Sequence, residues 1–325
     1  STGLQKDSLG KEIYSESEKG VEQVIPYDAL NFGFGWHKDV EEVARIVSEN
    51  GIKSFSTTAP HLMDSAPTGP VILTKYMDKL WGKDKWIYNQ GSCGSCVANG
   101  AGMAAEILVA EDVTDNGAEN PGRLDCMSIY WGSRVEIGGG RLSGEGSVGA
   151  WAAQYLQKFG CLPRKKYQSV DLTEYSAALC CSGYARKGVP DDLEPTAKLH
   201  PIKSYAKVDT WDELVSAITS GYPVTVASDQ GFAYKRDANG FSAPKGSWSH
   251  QMIIIGIDLS DESAVVLNSW GNDWISGPKP DWMPAGSFKI RKKTAESMLK
   301  EGDSWAFSDL AGWKRKEIPW AKLNW

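Results

Sequence analysis

The 325-residue sequence predicts an α+β protein in two lobes, with chemistry in the cleft between them. Helical periodicity fills the first half, whereas the last third breaks into short β-rich runs separated by Gly, Asp, Asn or Pro clusters. The 41% hydrophobic content, with 14 Trp and 34 Gly, describes a globular, loop-rich chain without repeats or low-complexity segments.

Residues 1–35 carry no convincing periodicity and are expected to form an extended or loosely attached arm. The stretch HKDVEEVARIVSENG places Val40, Val43, Ala44 and Val47 at helical spacing, with Gly51 as C-terminal cap, so a helix is expected over about 38–50. The Pro- and Gly-bearing TTAPHLMDSAPTGP follows as a connector, and His37 and His61 read as surface or packing histidines. After Cys96, Val97, Ala101, Ala104, Ala105 and Leu108 form one apolar stripe, the mark of a helix with a buried face that Ser95 is placed to cap. WAAQYLQKFG predicts a second helix ended by Gly160. TWDELVSAITSG predicts a third, with Thr210 and Glu213 at capping-box spacing and Trp211, Leu214, Val215 and Ile218 inward. YPVTVAS, QMIIIGID, AVVLNSW and GSFKIRK then read as strands. The expected division is an N-terminal extension at 1–84, a main domain at 85–310 and a tail at 311–325. Within the domain, residues 85–205 are helix-weighted and 206–310 strand-weighted.

Charge and length exclude several classes. A formal charge of −6 and a pI near 5.4 argue against nucleic acid as partner, and the run Arg291–Lys293 reads as a solvated face. No apolar run reaches the roughly 18 residues of a membrane span, so no membrane partner is expected. The polar first 20 residues contain no apolar signal-peptide core, which leaves the location open. Six cysteines at this length permit disulfides without requiring them.

The chemistry turns on YNQGSCGSCVANG, with Cys93 and Cys96 three apart. A structural zinc needs four ligands, and neither a second close pair nor a His-x-x-x-His appears, so no metal or cofactor is expected. A thioredoxin-type pair needs a strand before it, which LWGKDKWIYNQ is not. A nucleophile fits better. Cys96 stands at the first turn of a helix, whose positive end favours thiolate, whereas Cys93 lies in the preceding loop. His250, in GSWSHQMIIIGID, can be aimed by a strand as the base. Asn268 lies 18 residues on at the end of the next strand, where a hairpin can bring it to the imidazole.

NQGSCGSCVA, SHQMIIIGID and LNSWGNDW…GSFKIRK, in that order, resemble the three signature blocks of the papain-like cysteine peptidases. The likeness covers about residues 85–295. The 154 residues between Cys96 and His250 sit close to the roughly 130–150 typical of the family. The resemblance implies a papain-like fold, with a helical left lobe and an antiparallel β-barrel-like right lobe. It implies a cysteine endopeptidase that hydrolyses polypeptide amide bonds through a thioester. Carried over, Cys96 is the nucleophile, His250 the base and acid, Asn268 its orienter, and Gln90 the side-chain donor of the oxyanion hole. Trp270 resembles the indole over the His–Asn bond, Trp274 the aromatic wall on the leaving-group side, and Gly94, Ser95 and Ser249 line the cleft. Gly138–Gly140 or Gly144–Ser147 are further candidates for the cleft wall, with flexible-loop glycines as the equal alternative.

The pattern is broken in four places. Val97 stands where an aromatic is usual, and Ser249 where an acid or amide usually precedes the histidine. The Gly-rich loop GGGRLSGEGSVGAW lacks the cysteine expected to partner Cys93, which leaves Cys126, Cys161, Cys180, Cys181 or no partner. About 85 residues precede the Cys block, read here as a permanent extension in preference to an inhibitory prosegment. These departures suggest a divergent branch, of bacterial or phage type. The alternatives are a catalytically silent scaffold on the same fold and a cysteine amidase acting on peptidoglycan cross-links.

Overall fold

The computed structural model describes residues 33–200, 202–309, 312–314 and 316, together with the backbone of the paired strands Gln5–Lys6 and Glu12–Ile13. The arm at 14–32 and most of the tail lie outside the described residues.

The helices come first. α1 (Val40–Glu49) is capped by the Asp39 carboxylate, which accepts from Glu42 N at 2.9 Å. Its buried face carries Val43 and Ile46, while Val40 stays 65% exposed, so the stripe is rotated from the one expected through Val40 and Val47. α2 (Lys75–Trp81) precedes the cysteine loop. α3 (Cys96–Asn116) is the central helix, packed against α2, α4 (Met127–Gly132), α5 (Gly149–Phe159) and the sheet. The expectation of a single buried face is corrected here: most residues from Cys96 to Glu111 are buried on every side, because helices and sheet enclose it. α5 ends at Gly160 as expected. α6 (Trp211–Thr219) is capped by the Thr210 hydroxyl, which accepts from Glu213 N. The Glu213 carboxylate instead accepts from Asp209 N and Ser56. α7 (Lys292–Leu299) follows the last expected strand.

The second lobe is a seven-stranded antiparallel sheet. Its strands are β1 (Val71–Ile72), β2 (Ser204–Lys207), β3 (Val224–Arg236), β4 (Ser242–Asp258), β5 (Ser263–Leu267), β6 (Ser287–Arg291) and β7 (Asp303–Ser308). They run in the order β2-β7-β3-β4-β5-β6, with β1 on β4. The four expected strands are present, and β3 and β4 run on as a long bulged hairpin. β1, β2 and β7 were not expected from the sequence. β1 pairs Val71 with Ile257, and Tyr76 and Met77 behind it are buried. β1 and the residues of α2 thus pack onto the sheet.

Candidate active site

Cys96 is the first residue of α3, and its sulfur is wholly buried. Ser95 occupies the cap position, but its hydroxyl does not cap. It bonds the Tyr175 hydroxyl at 2.9 Å and accepts from Asn99 Nδ2 at 2.9 Å. His250 lies on β4 and Asn268 just past β5, and the pairing of Ile253 with Leu267 brings the two together. His250 Nε2 stands 2.8 Å from Asn268 Oδ1. The neighbouring Gln251 N–H donates to the Cys96 sulfur at 3.4 Å, which holds β4 against the start of α3. The three expected residues thus converge where the helical lobe meets the sheet.

Aromatic packing covers the imidazole. The Trp270 ring lies 4.9 Å from that of His250 and 5.2 Å from Trp274. Trp274 itself is buried behind Trp270, its indole N–H donating to Gly286 O at 2.8 Å. Trp248, which the sequence did not suggest, adds a third indole 4.9 Å from Trp270. Ser249 donates its hydroxyl to Asp229 at 2.9 Å and turns its carbonyl to the cleft.

The cleft is filled by the chain itself. Residues 33–37, Gly-Phe-Gly-Trp-His, cross it as an extended strap. Trp36 N donates to Ser249 O at 3.1 Å, His37 N to Ser147 O at 2.9 Å, and Ser147 N to Gly35 O at 2.8 Å. The pairing with Ser147 is parallel. Gly35 N–H points at the Cys96 sulfur. The Gln90 side chain donates to Gly33 O at 2.7 Å, so a strap carbonyl takes the donor expected to serve an oxyanion. The Gln90 carbonyl is fixed by Ser269 Oγ at 2.6 Å. Phe34 packs its ring 5.8 Å from both His250 and Trp270. Only glycine fits at 35, because a Cβ there would lie 1.9 Å from the Gly94 carbonyl oxygen.

His37 is half-buried, its ring bonded to Glu145 O at 2.7 Å, and its backbone belongs to the strap. His61 is exposed, as expected of a surface histidine, with its ring at 2.7 Å from Trp313 O. The wall opposite β4 is Ser147 with Glu145, whose carboxylate accepts from Gly94 N at 2.6 Å. Gly139 and Gly140 have open space where a Cβ would stand, and the strap's wall contacts run through 145–147. The sequence signal for the strap was weak, because glycines around aromatics carry no helix or strand period.

Burial sets the electrostatics. Exclusion of water pushes the Cys96 thiol up to about 12, against the smaller opposing effect of backbone N–H groups from Gln251, Gly35 and Val97. It pushes the His250 imidazole down to about 4, partly countered by Asn268. The thiolate expected at the helix terminus is therefore not the covered form; desolvation outweighs the helix dipole. Cys93 forms a disulfide with Cys181, which ties the cysteine loop to the segment after residue 176.

Residues 81–278 match the papain family cysteine proteases. No curated protein matches the sequence. Among solved structures, xylellain, a cysteine protease from Xylella fastidiosa, is similar over 86% of this chain and 97% of its own, with a TM-score of 0.61 at 19% identity. ProCathepsin B S9 from Trypanosoma congolense is similar over 90% of each chain, with a TM-score of 0.52 at 12% identity. Digestive procathepsin L2 from Tenebrio molitor larval midgut covers 89% of this chain and 82% of its own, at 0.51 and 17%. At these identities the likeness is one of fold.

Proposed function

The chain belongs to the papain family of cysteine proteases and is a cysteine endopeptidase, and from that premise we propose that Cys96 is its nucleophile, His250 its base and Asn268 the residue that positions the imidazole. The observation that carries this reading is the 2.8 Å His250–Asn268 bond beside a thiol at the first residue of a helix. With Nε2 engaged by Asn268, Nδ1 is the ring nitrogen left to exchange a proton with the sulfur. The thiolate attacks the amide carbon, and the carbonyl oxygen becomes an oxyanion met by Gln90 Nε2 and the backbone N–H of Cys96. Imidazolium then gives its proton to the departing amine, leaving a thioester that water hydrolyses.

The peptidase body is assigned to residues 71–309, because β1 and α2 pack into it. The strap at 33–37 is assigned the role of a latch that holds this body inactive, since it engages Gln90, Ser147 and Ser249 at once. This replaces the permanent extension read from the sequence. A silent scaffold and a cell-wall amidase are not favoured by the family match.

The test uses the full chain. Cys96→Ala should abolish hydrolysis of a fluorogenic peptide after strap release while leaving the melting temperature near that of the wild type. Retained turnover removes Cys96 from its role.

A further inference from the structure

Three groups able to ligate a metal meet beside the cysteine loop. The sulfurs of Cys93 and Cys181 and a carboxylate oxygen of Glu145 all lie within 4.8 Å of one another. Counting cysteines along the sequence does not find this group, because Glu145 and Cys181 reach Cys93 only in space. The disulfide engages both sulfurs here. Cys93 is buried, Cys181 half-buried and Glu145 exposed, so a reductant and an ion have access from one side. On that side lies a cavity of about 180 Å³, lined by Glu145 and Cys181 together with Tyr130, Arg134 and Ser182. Glu145 is already aimed: its Oε2 accepts from Gly94 N at 2.6 Å, which leaves Oε1 for an ion. The Arg134 guanidinium is held by the carbonyls of Leu142, Gly144, Gly146 and Ala185, so a fixed positive charge stands in the cavity wall.

We propose that reduction of Cys93–Cys181 opens a site for a thiophilic divalent cation of the zinc class, held by the two thiolates and the Glu145 carboxylate, with water in the fourth position. A thiol reductant supplies two electrons and two protons: the S–S bond breaks, two thiols form, and the reductant becomes a disulfide. Binding of the ion then releases both thiol protons. Tetrahedral Zn–S bonds of about 2.3 Å place two sulfurs about 3.8 Å apart. Side-chain rotation provides that separation from Cα atoms 5.8 Å apart. Thiolates select a soft ion over magnesium or calcium, and Arg134 faces the negative charge that a divalent ion leaves unbalanced. The ion replaces a covalent tie with a coordinate one, so the loop in front of Cys96 stays fastened in a reducing medium. This inference goes beyond the peptidase reading and does not depend on it.

The test uses full-length protein carrying Cys96→Ala, which removes a competing thiol. It is reduced with dithiothreitol, freed of it under argon, and titrated with Co²⁺ and Zn²⁺. The reduced protein should bind one ion per chain with a sulfur-to-cobalt charge-transfer band, about tenfold or more tighter than the oxidised protein, and more weakly as pH falls. Zn²⁺ should raise the melting temperature of the reduced protein alone. Glu145→Gln, which keeps an acceptor for Gly94 N, should weaken Zn²⁺ binding about tenfold or more, and Cys181→Ser should remove the band. Absence of the band, equal affinity in both redox states, or unchanged affinity in Glu145→Gln overturns the site. Should a variant not fold, the comparison of oxidised and reduced protein decides alone. Should reduction itself unfold the chain, Zn²⁺ present during reduction must preserve the fold, and failure to do so overturns the site equally.

Discussion

Cys96 and His250 are driven toward their uncharged forms by one cause, the exclusion of water from a covered cleft. For His250 the consequence can be measured. Its pKa in the folded protein, about 4, lies below the ordinary imidazole value, so on acidification the unfolded chain takes up the proton first. Stability is full above about pH 6.5 and is lost as pH falls from there toward 4. Compared with His250→Gln, the wild type should lose an additional ~2 kcal/mol between pH 7 and 4.5, read from urea midpoints. Equal losses in both proteins contradict a buried, neutral His250. Gln90 is held by Ser269 through its carbonyl, which aims its amide at the cleft. Gln90→Ala should lower kcat about 10²–10³-fold in strap-released enzyme, as for removal of one oxyanion donor. These residues were legible in the sequence as candidates because the residue types that a proposed nucleophile, base and orienter need are scarce and fall in short blocks. Glu145 and Asp303 were not, since an acidic residue shows its role only through what faces it.

Among the elements, the strap differs from every helix and strand in being defined by its surroundings. Its hydrogen bonds go to other parts of the chain, among them Gln90, Glu145, Ser147, Ser249 and Asp303. Gly35→Ala removes none of these groups but adds a Cβ at 1.9 Å from Gly94 O. Such overpacking costs about 1–3 kcal/mol, so the variant should alkylate at Cys96 roughly tenfold faster with iodoacetamide at pH 7. An unchanged rate rejects the strap as a latch. α5 and α6 were readable from apolar spacing and end signals, which act within a few residues. β1, β2 and β7 were not, because their lengths of two, four and six residues give little period, and their partners lie far along the chain.

The whole molecule is two lobes joined at a buried helix, α3, whose first residue is the proposed nucleophile. The disulfide Cys93–Cys181 closes 88 residues of chain and fastens the loop in front of that helix to a distant segment. On the loop-entropy account, Cys181→Ser should lower unfolding free energy by about 4.6 kcal/mol, visible as a lower urea midpoint. No change in midpoint means that the crosslink constrains nothing the fold does not already hold. Among the described residues no helix is long and apolar enough to cross a membrane.

The sequence by itself determined the family and the two-lobed architecture, and it singled out Cys96, His250 and Asn268, the residues proposed for the chemistry. Local spacing and rare residue types carry that information. Only the tertiary structure decided that residues 33–37 cover the thiol, that Cys93 pairs with Cys181, and that the buried Asp303 carboxylate accepts from Trp36 of the strap. Those facts depend on which remote groups meet and on how much water is left between them, and neither quantity is written in any stretch of neighbouring residues.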